Sequence, residues 1–463
     1  MAVLAEQFDV VVLGGGPAGY ATALYGAAAR LRIALVEEAR VGGVCLHRGC
    51  IPAKELLQTA EVVRTVKSAP EFGVDAGFTK IDLARSQVRK RDVVDRLTKG
   101  LESLLRGRKV TIVPGTGTIV DAAARHIRVS DGTELMGGSL MLATGSVPRS
   151  LPGLDFDGVR VLSSDHVLEL EDVPPRVAII GGGVIGAEFA SMLVDVGSEV
   201  TLLEALPRIL PMTDADAGAV VARSFRKRGV NVHVGVRVTG IEGARELKVT
   251  WDGENGEQSA VVDKIVVSVG RAPRTSGIGL EGSGVAVDDR GYVVVDGQLR
   301  TSVPGVYAAG DMIDAPQLAH VGFAEAIVAV KTMLGEPVTP VDYEKVPWVI
   351  YCHPEIAYCG LTEEEARERG IDVTVSTHRF GGDARALILG EGDGLVKLVA
   401  GRDGSLLGVH IVGAFATELL AEGYLAVNWE ANAADVAALI HPHPTLSEVF
   451  GEAALSLTGR PLH

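Results

Sequence analysis

The sequence predicts an α/β fold of two Rossmann-like domains, the first interrupted by the second, with an α+β domain at the C-terminal end. Three observations carry this. An apolar run enters a glycine-rich turn within residues 8–38, and the same pattern returns within residues 176–204. From residue 346 onward the alternation of strands and helices changes character. A chain of 463 residues has room for about three domains.

The two repeated stretches are FDVVVLGGGPAGYATALYGAAARLRIALVEE (8–38) and RVAIIGGGVIGAEFASMLVDVGSEVTLLE (176–204). Each reads as strand, turn, helix, strand. Each carries G-x-G-x-x-G, at Gly14, Gly16 and Gly19 and at Gly181, Gly183 and Gly186. Each ends its second strand on an acid 23 residues after the first glycine, Glu37 and Glu204. One such glycine pattern is weak, but two in full context with matched acids point to two bound dinucleotides. The glycines let the backbone approach a pyrophosphate at a helix N-terminus, where free N–H groups and the helix dipole favour an anion. Each carboxylate can accept from a ribose 2′-OH, and Glu204 would repel a 2′-phosphate. Arg208, four residues on in a Pro-flanked turn, reads as surface charge, so the second site is expected to take NAD rather than NADP.

The joints between domains follow from strands that end in Gly and Pro. LMLATGSVPRSLPG (140–153), KIVVSVGRAPRT (264–275) and TSVPGVYAAGD (301–311) mark an exit from the first domain and a return to it. The expected division is 1–150 and 276–345 for the first domain, 151–275 for the second and 346–463 for the third. In the third, LVKLVA and LLGVHIVG read as strands and TELLAEGYLAVNWE as a helix.

A formal charge of −15 argues against nucleic acid as a partner. Val10–Ala29 is uncharged for 20 residues, but Gly14-Gly15-Gly16-Pro17 would break a lone helix in lipid, so no membrane span is expected. Without a basic leader or an Arg/Ser-rich transit segment, the expected location is the cytoplasm. Four cysteines in so long a chain do not make a secreted disulfide scaffold.

Two of those cysteines, Cys45 and Cys50, stand five apart in GGVCLHRGCIPAK (42–54). A metal site would need a second Cys or His pair, and His47 is expected to point away on a short loop, so no metal is assigned. A permanent structural bridge suits a reducing compartment poorly, whereas a strained, exposed one is fit for exchange. Cys50 opens the helix IPAKELLQTAEVV, where the helix terminus and Lys54 favour a thiolate. Thiol exchange needs a base, and ALIHPHPTLSEVFGEAAL offers His443 with Glu448, on a helix expected to begin near Thr445, to hold its tautomer. His441 reads as structural. Cys352 and Cys359 are expected as buried, unreactive thiols rather than zinc ligands.

GGVCLHRGCIPAK, the two glycine fingerprints, ATGS, VGRAPRT, GVYAAGD, LAH and HPHPTLSE occur in one order over essentially the whole chain. In this the sequence resembles the FAD-dependent pyridine nucleotide–disulfide oxidoreductases of class I, most closely their dihydrolipoamide dehydrogenase branch. The resemblance implies FAD on the first fingerprint, with Glu37, Lys54, Gly117, Thr144, Gly145, Asp311 and Ala319. It implies NAD on the second, with Glu188, Glu204, Val238 and Gly270. Lys54 and Glu188 would pair beside the flavin. Cys45 would be the outer thiol that meets substrate and Cys50 the inner one against the flavin. The third domain would form a homodimer whose His443–Glu448 couple reaches into the other subunit's site.

The implied activity is oxidation of protein-bound dihydrolipoamide by NAD+. The implied partner is a lipoyl-bearing acyltransferase or a glycine cleavage carrier protein. The alternative is an NAD(P)H-dependent reductase of another disulfide, of glutathione or mycothiol type, or of quinones. The chain departs from the family's usual pattern at Leu46-His47-Arg48-Gly49, which adds positive charge near the thiols.

Overall fold

The computed structural model describes residues 5–243, 246–254 and 256–463. The first apolar run folds as β1 (Glu6–Leu13), with Val11 and Val12 fully buried. Gly16 caps α1 (Pro17–Ala28), and Pro17 occupies the first helical position, where no N–H is needed. β2 (Ile33–Glu37) then lies parallel to β1. Next come α2 (Gly43–Arg48), α3 (Cys50–Ser68) and α4 (Leu83–Gly107). β3 (Thr111–Pro114), β4 (Gly117–Asp121), β5 (His126–Val129), β6 (Glu134–Leu142) and β7 (Ser146–Pro148) follow. The sheet order β3-β2-β1-β6-β5-β4 puts β1 at the centre, between β2 and β6.

The inserted stretch repeats this plan. β8 (Val161–Leu162) and α5 (Ser164–Val167) lead into β9 (Arg176–Ile180), α6 (Val184–Val196) and β10 (Glu199–Leu203). α7 (Ala215–Lys227), capped by Asp214, and β11 (Asn231–His233) continue the parallel layer. An antiparallel sheet of β12 (Arg237–Glu242), β13 (Leu247–Gly253) and β14 (Gly256–Val262) precedes β15 (Lys264–Val267), which closes the order β11-β10-β9-β15-β8. β16 (Arg271–Pro273) pairs antiparallel with β7, so the exit and the re-entry of the first stretch are hydrogen-bonded to each other. β17 (Val306–Ala308) joins β6, and α8 (Ala319–Met333) follows.

The last stretch builds β18 (Trp348–Ile350), β19 (Glu355–Gly360), α9 (Glu363–Glu368), β20 (Val373–Arg379) and α10 (Ala384–Leu389). β21 (Leu395–Gly401), β22 (Leu406–Gly413), α11 (Ala416–Asn428), α12 (Ala433–Ala437) and α13 (Glu448–Leu457) complete it. The sheet is antiparallel, in the order β18-β19-β22-β21-β20. β21 is buried along its whole length, and α11, α12 and α13 contribute apolar side chains to the same core. Lys397 within β21 is buried and is neutralised by Asp214, Asp216 and Glu363 at 3.0, 2.7 and 2.8 Å.

Two compact units emerge. One comprises Met1–Glu55, Arg85–Arg149 and Gly270–Tyr343, the other Leu56–Ala84, Ser150–Val269 and Glu344–His463. Among the described residues no helix is long and apolar enough to cross a membrane.

Candidate active site

Both glycine turns have the same construction. Gly14 and Gly181 adopt φ of +102° and +104°, which an L side chain rarely adopts. A Cβ on Gly19 would stand 1.8 Å from the Gly14 carbonyl oxygen, and one on Gly186 1.9 Å from that of Gly181. The middle glycines are different. A Cβ on Gly16 would meet nothing nearer than Gly43 Cα at 3.9 Å, and one on Gly183 nothing nearer than Met212 Cε at 3.9 Å. The outer glycines therefore pack helix on strand, and the middle one keeps the mouth of the turn open. Neither α1 nor α6 has a side-chain cap on its first N–H groups. Such a cradle fits a pyrophosphate.

The strand-end acids face these turns. Glu37 accepts from the Gly15 N–H at 2.7 Å and the Ala39 N–H at 2.9 Å. Glu204 accepts from Gly182 at 2.6 Å and Leu206 at 2.7 Å. Each carboxylate is thereby aimed across its turn with lone pairs left for a ribose hydroxyl. Arg208 is held by Glu364 at 2.7 Å and by the Pro211 carbonyl at 3.3 Å. Glu188 is buried on α6 and accepts from the Tyr351 N–H at 3.0 Å. Val238 lies opposite Trp251 in the β12–β13 pair, and Gly270 has φ +107°.

On the first unit, Gly117 begins β4, where a Cβ would be 2.4 Å from Leu13 Cδ1. Thr144 Oγ1 donates to the Arg274 carbonyl at 2.6 Å, and Gly145 has φ +77°. Asp311 accepts from Ser146 Oγ at 2.5 Å, and that oxygen accepts in turn from Arg271 Nε at 2.7 Å. Ala319 is the first residue of α8. Sequence reasoning missed Glu325. It is fully buried and accepts from the Gly310 N–H at 2.6 Å and the Tyr343 hydroxyl at 2.9 Å. Burial pushes its carboxyl up to about 7.

Cys45 and Cys50 are both thiols in this structure, and both are half-buried. Cys45 and His47 both sit on the helical turn α2, where a short loop was expected, and His47 Nε2 lies 2.9 Å from the Val41 carbonyl. Cys50 is the first residue of α3, with Lys54 one turn on. The Cys45 thiol is pushed far above its ordinary range, first by its hydrogen bond with Cys50, then by burial and the negative charge of Cys50, while Lys54 opposes. Cys45 thus holds its proton more tightly than a free thiol. Tyr20 on α1, also missed, has its phenol pushed up to about 12 by burial and by both cysteines, and its ring packs against Phe323 at 5.6 Å.

His443 Nδ1 lies 2.9 Å from Glu448 Oε1. Glu448 is the first residue of α13, three positions later than the helix start expected near Thr445; i to i+3 bonds such as Val449 N–H to the Leu446 carbonyl fill the intervening turn, and Glu448 Oε2 accepts from the Thr445 N–H at 2.8 Å. Burial raises this carboxyl, but the Thr445 N–H and the His443 ring outweigh it and hold it below the usual range. The His443 side chain is 73% exposed in the single chain. His441 has an acid of its own, Glu422 at 2.9 Å. Cys352 and Cys359 are buried and donate to the carbonyls of Pro354 and Lys345 at 3.3 and 3.1 Å. Among the described residues no three His, Cys, Asp or Glu side chains are grouped for a metal ion.

Residues 8–326 match the pyridine nucleotide-disulphide oxidoreductase family, and residues 346–454 match its dimerisation domain. The chain belongs to this family. It is 40% identical to a dihydrolipoyl dehydrogenase of Bacillus subtilis, over 99% of this chain and all of the relative. It is 42% identical to that of Thermus scotoductus, over 99% of each. Among solved structures it superposes on LpdA of Mycobacterium tuberculosis with TM-score 0.89 at 28% identity, over 98% of this chain and all of that one. For the HOCl-induced flavoprotein disulfide reductase RclA of Escherichia coli the TM-score is 0.85 at 28% identity, over 96% and 99% of the two chains.

As a pyridine nucleotide-disulphide oxidoreductase with a dimerisation domain, the chain works with FAD and NAD and forms a homodimer. The first glycine turn and the thiol pair meet through backbone. Gly42 N–H donates to the Gly15 carbonyl at 2.7 Å where α2 begins. The arrangement can move two electrons between thiols at α2–α3 and a dinucleotide seated on α1.

Proposed function

We propose that this oxidoreductase oxidises protein-bound dihydrolipoamide to lipoamide with NAD+ as acceptor. The observation that carries the reading is the Cys45–Cys50 pair seated on the first glycine turn. Relatives of that activity, matched over their whole length, support it. Residues 1–150 and 276–345 form the FAD domain, 151–275 the NAD domain and 346–463 the interface domain. FAD is held by Gly14, Gly16, Gly19, Glu37, Lys54, Gly117, Thr144, Gly145, Asp311 and Ala319. NAD is held by Gly181, Gly183, Gly186, Glu188, Glu204, Val238 and Gly270. The enzyme works in the cytoplasm, on the lipoyl group of an acyltransferase or of a glycine cleavage carrier.

The chemistry of the chain's own residues is thiol exchange. His443 of the partner subunit, held by its Glu448, takes the proton of one dihydrolipoamide thiol. The thiolate attacks Cys45 Sγ in the oxidised pair, breaking the Cys45–Cys50 bond and releasing Cys50 as a thiolate. The second substrate thiol gives up its proton and displaces Cys45, closing the lipoamide ring, and Cys45 takes up a proton. The substrate loses two electrons and the protein pair gains them. The positive end of α3 and Lys54 stabilise Cys50. FAD, when bound, would supply the two-electron redox chemistry that links the thiol pair to NAD+.

Anaerobic reduction with dihydrolipoamide, followed in the visible spectrum, tests this. A long-wavelength band that NAD+ discharges and NADP+ does not is the expected result. Flavin left oxidised by dihydrolipoamide but reduced by NADPH would sink the reading in favour of another disulfide reductase.

A further inference from the structure

Arg274 belongs neither to the thiol pair nor to a glycine turn, yet it ties together several stretches of the first unit. Its N–H donates to the Gly145 carbonyl at 2.8 Å, and its carbonyl accepts from Thr144 Oγ1 at 2.6 Å. Its guanidinium grips Glu38 with both terminal nitrogens, one of them at 2.7 Å. Glu38 also lies 3.5 Å from Thr116 Oγ1. Glu38 is the neighbour of Glu37, and Thr116 of Gly117.

The sheet order gives this grip its meaning. Glu38 follows β2, and Thr144–Gly145 follow β6. β2 and β6 flank β1. The ion pair therefore crosses the carboxyl end of β1, where the turn Gly14–Gly16 starts. Two strand spacings of about 4.8 Å are a span that an arginine can bridge. Arg48, on the helix of Cys45, adds positive charge toward Glu38.

We propose that the Arg274–Glu38 ion pair is a clasp over the adenosine end of the FAD site, which opens when the cofactor leaves. This rests on FAD occupying the first glycine turn. Both side chains keep about a third of their surface, 38% and 32%, so the clasp opens without unfolding the unit. A two-pronged guanidinium–carboxylate pair is directional and stronger than a single contact, and salt weakens it.

The test uses holoenzyme of wild type, Arg274→Met, and the reversed pair Glu38→Arg with Arg274→Glu. FAD release is followed by free-flavin fluorescence after dilution, in about 0.05 M and about 1 M KCl. Wild type is expected to release FAD faster in high salt. Arg274→Met should release it about tenfold faster at low salt and lose most of the salt response, and the reversed pair should recover slow, salt-sensitive release. Wild-type rates and salt response in Arg274→Met would overturn the clasp. So would an equal loss of melting temperature in its apo and holo forms, which marks a structural tie only. A wild type that takes up no FAD would overturn the clasp together with the FAD reading, and the wild-type control separates that result from failure of the clasp alone.

Discussion

Gly43 stands against Gly16: a Cβ on Gly43 would lie 2.5 Å from Gly16 Cα, and Gly43 itself has φ +58°. The helix that carries Cys45 therefore starts against the first glycine turn. The spacing between the thiols and that turn is set by backbone against backbone. Gly43→Ala is expected to force the two apart. Bound FAD should fall, and turnover per bound flavin should drop at least about tenfold, since small misplacements at a reacting centre are costly. Flavin content and turnover, measured together, check this.

Gly186→Ala separates the two cofactors. Its Cβ would sit 1.9 Å from the Gly181 carbonyl, a backbone atom that cannot step aside. The variant should purify yellow, with wild-type flavin content, while KM for NAD+ rises more than about tenfold. A yellow enzyme with an unchanged KM would mean that α6 can shift as a body.

His443→Gln and Glu448→Gln test the couple at 2.9 Å. Loss of a positioned base costs typically about 10²–10⁴-fold. His443→Gln should lose that much in lipoamide turnover, and Glu448→Gln less. NADH oxidation by an artificial electron acceptor bypasses the thiols and should stay near wild type in both. Equal loss in the two assays would place His443 outside the thiol step.

Glu325 predicts a pH dependence of stability. Burial raises its carboxyl from 4.5 to about 7 in the folded chain. Its contribution is therefore complete below pH 4.5 and is lost as pH rises through about 7, an effect on the order of 3 kcal/mol. Melting curves from pH 5 to 8 should show wild type losing ground relative to Glu325→Gln. Parallel curves would mean that the Gly310 N–H and the Tyr343 hydroxyl hold the charged form as readily as the neutral one, against burial and Asp311.

What could be read in advance was chemistry written locally. Gly14 to Glu37 and Gly181 to Glu204 carry their meaning in spacing, because a strand–turn–helix–strand unit has few ways to bring a glycine and an acid together. Cys45 with Cys50, and His443 with Glu448, were legible for the same reason. Glu38 and Arg274 are 236 residues apart, and no local pattern announces their meeting. Glu325 looks like one more polar residue of a helix until the fold buries it against the Gly310 N–H and the Tyr343 hydroxyl. Tyr20 was hidden inside a recognised motif, where attention goes to the glycines. His47 reads as a loop residue because nothing local announces a helix over six residues, yet Gly42 at φ +114° and Gly49 at φ −149° frame α2.

The two glycine turns share the same local geometry: φ of +102° and +104°, and acid-to-turn hydrogen bonds of 2.7 and 2.6 Å. They are interchangeable parts. A turn built this way would offer any diphosphate the same N–H groups, so a choice between nucleotides falls to the walls around it. An engineer who wants this enzyme to accept a different nucleotide should leave the glycines alone and recut the neighbours, with Thr144–Gly145 and the Glu38 rim on one side and Glu204 with Arg208 on the other.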